Sequence, residues 1–151
     1  MDNIPDDYAD MVGALNNNDV DFVIVGAYAV GFHGCPRMTD DIDFLVRPTS
    51  ENAKKLDAAL KEFGAPTSIS AEDMQPERII QIGIKPVRID VITGIDGVSI
   101  GEIWATRVAG LFAGRNVYYI SFDCLLKNKR ATGREKDKLD AASLGRLRKA
   151  R

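Results

Sequence analysis

The chain has 151 residues, 45% of them hydrophobic and 28% charged, with a formal net charge of −2. This fits one soluble globular domain, residues 1–151, large enough for a core of its own, and gives no global electrostatic reason for nucleic-acid binding. Two cysteines, Cys35 and Cys124, and a single histidine, His33, exclude a Cys/His zinc site of ordinary spacing, and no apolar run reaches membrane-spanning length.

In chain order, the acidic start MDNIPDDYADM lacks the basic and apolar regions of a signal peptide, so a cytoplasmic protein is expected. Tyr8, Met11, Val12 and Leu15 repeat at helical spacing over residues 6–16. FVIVG (22–26) reads as a buried strand, AYAVGFHG (27–34) as a helix that follows it directly, and IDFLV (42–46) as a second strand. A helix is predicted over 50–63, with Ala53, Leu56, Leu60 and Phe63 as its apolar face and Gly64 as its C-cap. Residues 65–77 are polar and irregular. RIIQIG (78–83) and VRIDVIT (87–93) read as two strands joined by a tight turn at Lys85-Pro86. Ser99 and Glu102 have capping-box spacing ahead of a short helix that holds Trp104. VYYIS (117–121) reads as a final edge strand. Helices over 122–131 and 134–147 follow, split near Gly133, and a basic tail runs from about 146 to 151 as a solvated helix end. Alternating strands and helices with one hairpin among them predict a mixed α/β (α+β) sheet flanked by helices.

The stretch RMTDDIDFLV (37–46) sets Asp40, Asp41 and Asp43 at the head of an apolar strand. Strand alternation puts Asp41 and Asp43 on one face, with Ile42 and Phe44 toward the core and Asp40 turned away. Asp90 is the other Asp inside an apolar strand. If its strand lies beside IDFLV, three carboxylates converge, an arrangement that is costly without a cation. Oxygen ligands of this kind suit Mg2+ or Mn2+, and a pair of such ions roughly 4 Å apart serves in-line phosphoryl displacement. The plainer reading is a solvated strand end with the acids capping a turn; the i, i+2 pair with a third acid in another strand favours a metal site.

Gly26 and Ala27 sit at the strand-to-helix junction, where a phosphate can approach the backbone. Arg37 and Arg88 are candidates either to grip phosphate or to pair with the acids. The basic segment Lys127, Lys129, Arg130, Arg134 and Lys136 is either a cationic arm for outer phosphates or a solvated face with pairs such as Lys136 to Asp140. His33, among Ala29, Val30 and Phe32, reads as a packed structural residue.

Together these motifs resemble the polymerase-β-type nucleotidyltransferase superfamily, and closely its small members, the minimal nucleotidyltransferases and the abortive-infection toxin group. VGAYAVGFHG stands for the family's glycine turn, RMTDDIDFLV for its acid-x-acid strand and VRIDVIT for its third acid. KNKRATGREKDKLDAASL is similar to its Lys-rich helix followed by an Arg-x-x-Asp helix. The resemblance implies a nucleotidyltransferase fold. It further implies that Asp41, Asp43 and Asp90 bind Mg2+ or Mn2+, with Asp90 helping to activate the attacking hydroxyl. Gly26 and Ala27 would cradle the triphosphate of an NTP, ATP first among them, with Lys127 and Arg134 near the phosphates. Arg134 with Asp137 is alternatively a structural ion pair. Ala27 replaces the Gly or Ser of many relatives, and it cannot donate the hydrogen bond a Ser would give.

The expected function is transfer of a nucleoside monophosphate to a hydroxyl of a protein, an RNA such as tRNA, or a small molecule. The alternative is a weak or inactive partner protein in a toxin–antitoxin pair. A metal-dependent phosphohydrolase is a further possibility, but it leaves the glycine turn without a purpose.

Overall fold

A computed structural model describes residues 4–150. Six strands, β1 (Phe22–Val25), β2 (Asp41–Val46), β3 (Ile79–Ile82), β4 (Arg88–Ile92), β5 (Val108–Phe112) and β6 (Arg115–Tyr119), form one mixed sheet in the order β3-β4-β2-β1-β6-β5. β2 runs parallel to β4 and β1 parallel to β6, while β1–β2, β3–β4 and β5–β6 are antiparallel. The helices are α1 (Asp6–Asn17), α2 (Gly26–Phe32), α3 (Ser50–Phe63), α4 (Ile100–Thr106), α5 (Phe122–Thr132) and α6 (Glu135–Ala150). α1 packs on α3, α5 on α6, and α2 lies against β1 and β2 and touches α5.

The apolar periodicities account for these elements. Tyr8, Met11, Val12 and Leu15 are all buried on α1, and Ala53, Leu56 and Leu60 on α3. Thr49 caps α3 by accepting from the Asn52 amide, and Gly64 closes it in the left-handed conformation (φ 93°) that glycine adopts freely. Asn52 itself is 2% exposed. Its side chain accepts from the Asp21 amide and donates to the Asp21 and Arg47 carbonyls, at 2.8–3.0 Å. It thereby pins α3 to the entry of β1 and the exit of β2, which places the opposite ends of those strands at the site.

Two expectations are corrected. VYYIS is not an edge strand: β6 spans Arg115–Tyr119 and lies between β1 and β5. The edge belongs to β5, which the apolar pattern missed because Ala109 and Gly110 dilute it. The legible signal was the two-residue loop Ala113-Gly114, both at positive φ (49° and 78°), which closes the β5–β6 hairpin. The second concerns Ser99, which does cap α4, but only half of the capping box forms. The Glu102 carboxylate accepts from Lys127 instead. The basic C-terminal segment is the last turn of α6 up to Ala150; Arg151 and Met1–Asn3 lie outside the described residues. No described helix is long and apolar enough to cross a membrane.

Candidate active site

The site forms where β1 ends and β2 and β4 run side by side. Register pairs Asp43 with Asp90 across β2–β4, and Asp43 with Val25 across β1–β2. The parallel β2–β4 pairing therefore does what the sequence required of it. One carboxylate oxygen from each of Asp41, Asp43 and Asp90 lies within 4.8 Å of the others. Ile42 and Phe44, pointing the other way, are fully buried. Asp40 is exposed and faces Lys85 at 3.7 Å, outside the cluster as strand alternation demands.

The three acids differ in their partners. Arg88, opposite Asp41 in the register, donates Nη2 to Asp41 Oδ2 at 2.6 Å and to Asp90 Oδ2 at 3.1 Å, and Nε to Asp90 Oδ1 at 3.0 Å. Thr39 fixes the start of β2 by accepting from the Asp41 amide at 3.1 Å. The Asp43 carboxylate receives no hydrogen bond or ion pair among the described residues. Burial first, then the charges of Asp41 and Asp90, push its pKa from 3.8 up to about 7, against the opposing pull of Lys129 and Lys136. Burial likewise raises Asp90, and the Arg88 bonds offset this only in part.

Gly26 explains itself here. Its φ of 70° is left-handed, and a Cβ on it would fall 2.1 Å from Asp43 Oδ2. The glycine is needed for the chain's own carboxylate to lie over the turn, a reason independent of any phosphate.

A cavity of about 640 Å³ opens over the cluster. Gly26, Ala27, Arg37, Arg88 and Arg134 all line it, with Asp41, Asp43 and Asp90. Lys127 does not: it bonds Glu102 at 2.6 Å on α4, outside the cavity. From the basic segment, Lys129, Arg134 and Lys136 line the cavity instead. Arg37 makes a two-pronged pair with Asp140, at 2.8 and 3.0 Å, rather than with the β2 acids. Arg134 bonds Asp137 at 2.8 Å, the structural pair that the sequence left open. His33 bonds the Ile120 carbonyl at 2.7 Å, in keeping with a packed structural residue.

Sequence reasoning missed the network behind the site. Lys129 is 4% exposed and reaches Asp137 at 2.8 Å and Asp140 at 3.1 Å. Asp137 also accepts from Thr132 Oγ1 at 2.7 Å. Burial alone would raise Asp137, but Lys129, Thr132 and Arg134 outweigh it and hold the carboxyl below its usual range. The Lys136–Asp140 pair expected on a solvated face does not form, because Asp140 is taken by Arg37 and Lys129. A signal was present: Asp137 and Asp140 occupy the same helical face as the buried Ala141 and Leu144. Acids on a buried face need buried cations.

The donor set fits a hard divalent cation. It offers carboxylate oxygens only, one from each acid and each within 4.8 Å of the others, and one of the three carboxylates has no donor of its own.

No protein-family model and no curated protein matches this sequence. Solved structures share its fold. The lincosamide antibiotic adenylyltransferase LnuA, with lincomycin bound, superposes with a TM-score of 0.62 at 13% identity, over 94% of this chain and 96% of that one. The antibiotic-resistance factor ANT(2'')-Ia gives 0.59 at 15% identity, over 91% and 80%. A candidate nucleotidyltransferase from Thermotoga maritima gives 0.53 at 15% identity, over 98% and 91%. These superpositions show that the chain, with its mixed six-stranded sheet, has the fold of these nucleotidyltransferases.

Proposed function

We propose that the protein transfers a nucleoside monophosphate from an NTP, ATP first, to an acceptor hydroxyl, releasing pyrophosphate. The observation that carries this reading is the convergence of Asp41, Asp43 and Asp90 in the cavity of a nucleotidyltransferase fold, with Asp43 left unpartnered. Its neighbours support the reaction class. ANT(2'')-Ia is seen with adenylyl-2''-tobramycin, and LnuA is an adenylyltransferase seen with an antibiotic.

Asp41, Asp43 and Asp90 would hold Mg2+ or Mn2+, which supplies Lewis-acid stabilisation of the charge that develops on the phosphates. Asp90 would take the hydroxyl proton as the acceptor oxygen attacks the α-phosphorus. The Gly26-Ala27 turn would receive the phosphate chain against its backbone. Lys136, which has no ion-pair partner among the described residues, and the exposed Arg134 would meet the outer phosphates. Lys129, already committed to Asp137 and Asp140, would hold the α5–α6 corner in place rather than bind substrate. Positioning and electrostatics then supply the catalysis, and no general-base histidine is needed.

The acceptor is proposed as a protein, an RNA such as tRNA, or a small molecule, and the setting as the cytoplasm. The second reading, a weak or inactive partner in a toxin–antitoxin pair, is favoured by one feature. Ala27 offers no hydroxyl to phosphate. Titrating a non-hydrolysable ATP analogue with and without Mg2+ separates the two. Metal-dependent binding that Asp90→Asn abolishes supports the enzyme. Binding that is absent, or indifferent to both metal and the substitution, supports the partner reading.

A further inference from the structure

Arg88 does more than line the cavity. Its guanidinium makes a two-pronged contact with Asp90 and a third bond, at 2.6 Å, to Asp41. The side chains of Arg88, Asp90 and Asp41 are 22%, 9% and 13% exposed, so these are charge-assisted bonds sheltered from water. Asp41 and Asp90 are also two of the three residues that would hold the divalent cation, and Asp43, the third, is untouched by Arg88. One guanidinium thus draws on the same carboxylate charge that a metal ion needs.

We propose that Arg88 is an internal counter-cation that competes with the divalent ion for Asp41 and Asp90. This rests on the reading of the three acids as metal ligands. Loading the ion requires the guanidinium to release at least one carboxylate, and the cost of that release weakens the apparent metal affinity. In return, Arg88 keeps like charges on neighbouring strands together when the ion is away. The register explains why an arginine can do this from β4: position 88 pairs with 41 and shares a strand face with 90. A lysine at 88 presents one compact ammonium instead of a planar fork and loses the two parallel N–H bonds to Asp90.

The test is direct Mn2+ binding to the full chain without nucleotide, followed by calorimetry or by the electron paramagnetic resonance of free Mn2+, for wild type, Arg88→Gln, Arg88→Lys and Asp90→Asn. Thermal melts in chelator accompany it. Arg88→Gln is expected to bind Mn2+ about tenfold more tightly or better, the release of one to two charge-assisted bonds. It should melt below wild type in chelator and gain more from added Mn2+. Arg88→Lys should fall between the two, and it carries the same test if Arg88→Gln does not fold. Wild type that binds Mn2+ through Asp90, with both Arg88 variants binding no tighter, overturns the proposal and makes Arg88 a residue that builds the site. No Mn2+ binding by any variant overturns the metal reading itself, and the proposal falls with it.

Discussion

Replacing Asp43 with Asn should stabilise the protein in chelator at pH 8 and leave it nearly unchanged at pH 4. Asp43 carries no hydrogen bond that Asn would break, so the substitution removes charge and little else. Its carboxyl titrates at about 7 in the fold against 3.8 in an ordinary setting, raised first by burial and then by Asp41 and Asp90. The fold therefore holds a proton through a range in which the unfolded chain has lost it. The contribution of Asp43 to stability thus falls as pH rises from about 4 to 7, and its loss is complete above the folded value. At about 1.4 kcal/mol per unit, a shift of this size has a ceiling of about 4 kcal/mol. Asp43 is only half-buried, so water screens part of it, and about 2 kcal/mol is the working expectation. The assay is urea denaturation in chelator at pH 4, 6 and 8 for wild type and Asp43→Asn. The two stabilities should converge at pH 4 and separate at pH 8 with the variant on top. Saturating Mn2+ should reverse the order at pH 8. Parallel curves across the range, or a variant less stable at pH 8 in chelator, would refute the electrostatic reasoning.

Two other substitutions probe the scaffold. Gly26→Ala sets a Cβ 2.1 Å from Asp43 Oδ2 at a φ of 70°, so it should cost about 1–3 kcal/mol and weaken Mn2+ binding, read by denaturation and metal titration. Lys129→Met strands Asp137 and Asp140, both buried, and should cost about 3–5 kcal/mol in thermal or urea melts. A loss under about 1 kcal/mol there would mean that Thr132, Arg134 and Arg37 suffice to satisfy the two acids.

The legible part of this protein was the part governed by local periodicity and by alternation along a strand. Asp41 and Asp43 could be assigned to one face because Ile42 and Phe44 demanded the other. Asp90 could be added because an acid inside the apolar run VRIDVIT is costly until a cation neutralises it. The parallel register that sets Asp43 against Asp90 is a tertiary fact, and the sequence could only suppose it. What failed were the long-range pairings of flexible cations. Arg37 reaches Asp140, 103 residues away, and nothing near either residue announces it. Lys127 and Lys129 are two residues apart on one helix, yet the first turns out to Glu102 and the second into the interior. Counting basic residues could not separate them, whereas following the buried face of α6 through Asp137, Asp140, Ala141 and Leu144 points to an inward cation. β5 was lost for a different reason: the glycine at 110 leaves room for Phe32, whose ring lies 2.8 Å from where a Cβ on Gly110 would be. Its sequence records that packing rather than strand propensity.

The central claim is that Asp41, Asp43 and Asp90 carry metal-dependent nucleotidyl transfer. It is tested most directly by incubating the purified chain with Mg2+ or Mn2+, each of the four NTPs labelled on the α-phosphate, and a cell extract as the pool of acceptors. Wild type should place label on a protein, an RNA or a small molecule from at least one NTP, ATP first, and Asp90→Asn and chelator should each abolish it. Label that survives Asp90→Asn undiminished, or no label from any NTP with either metal, would contradict the claim.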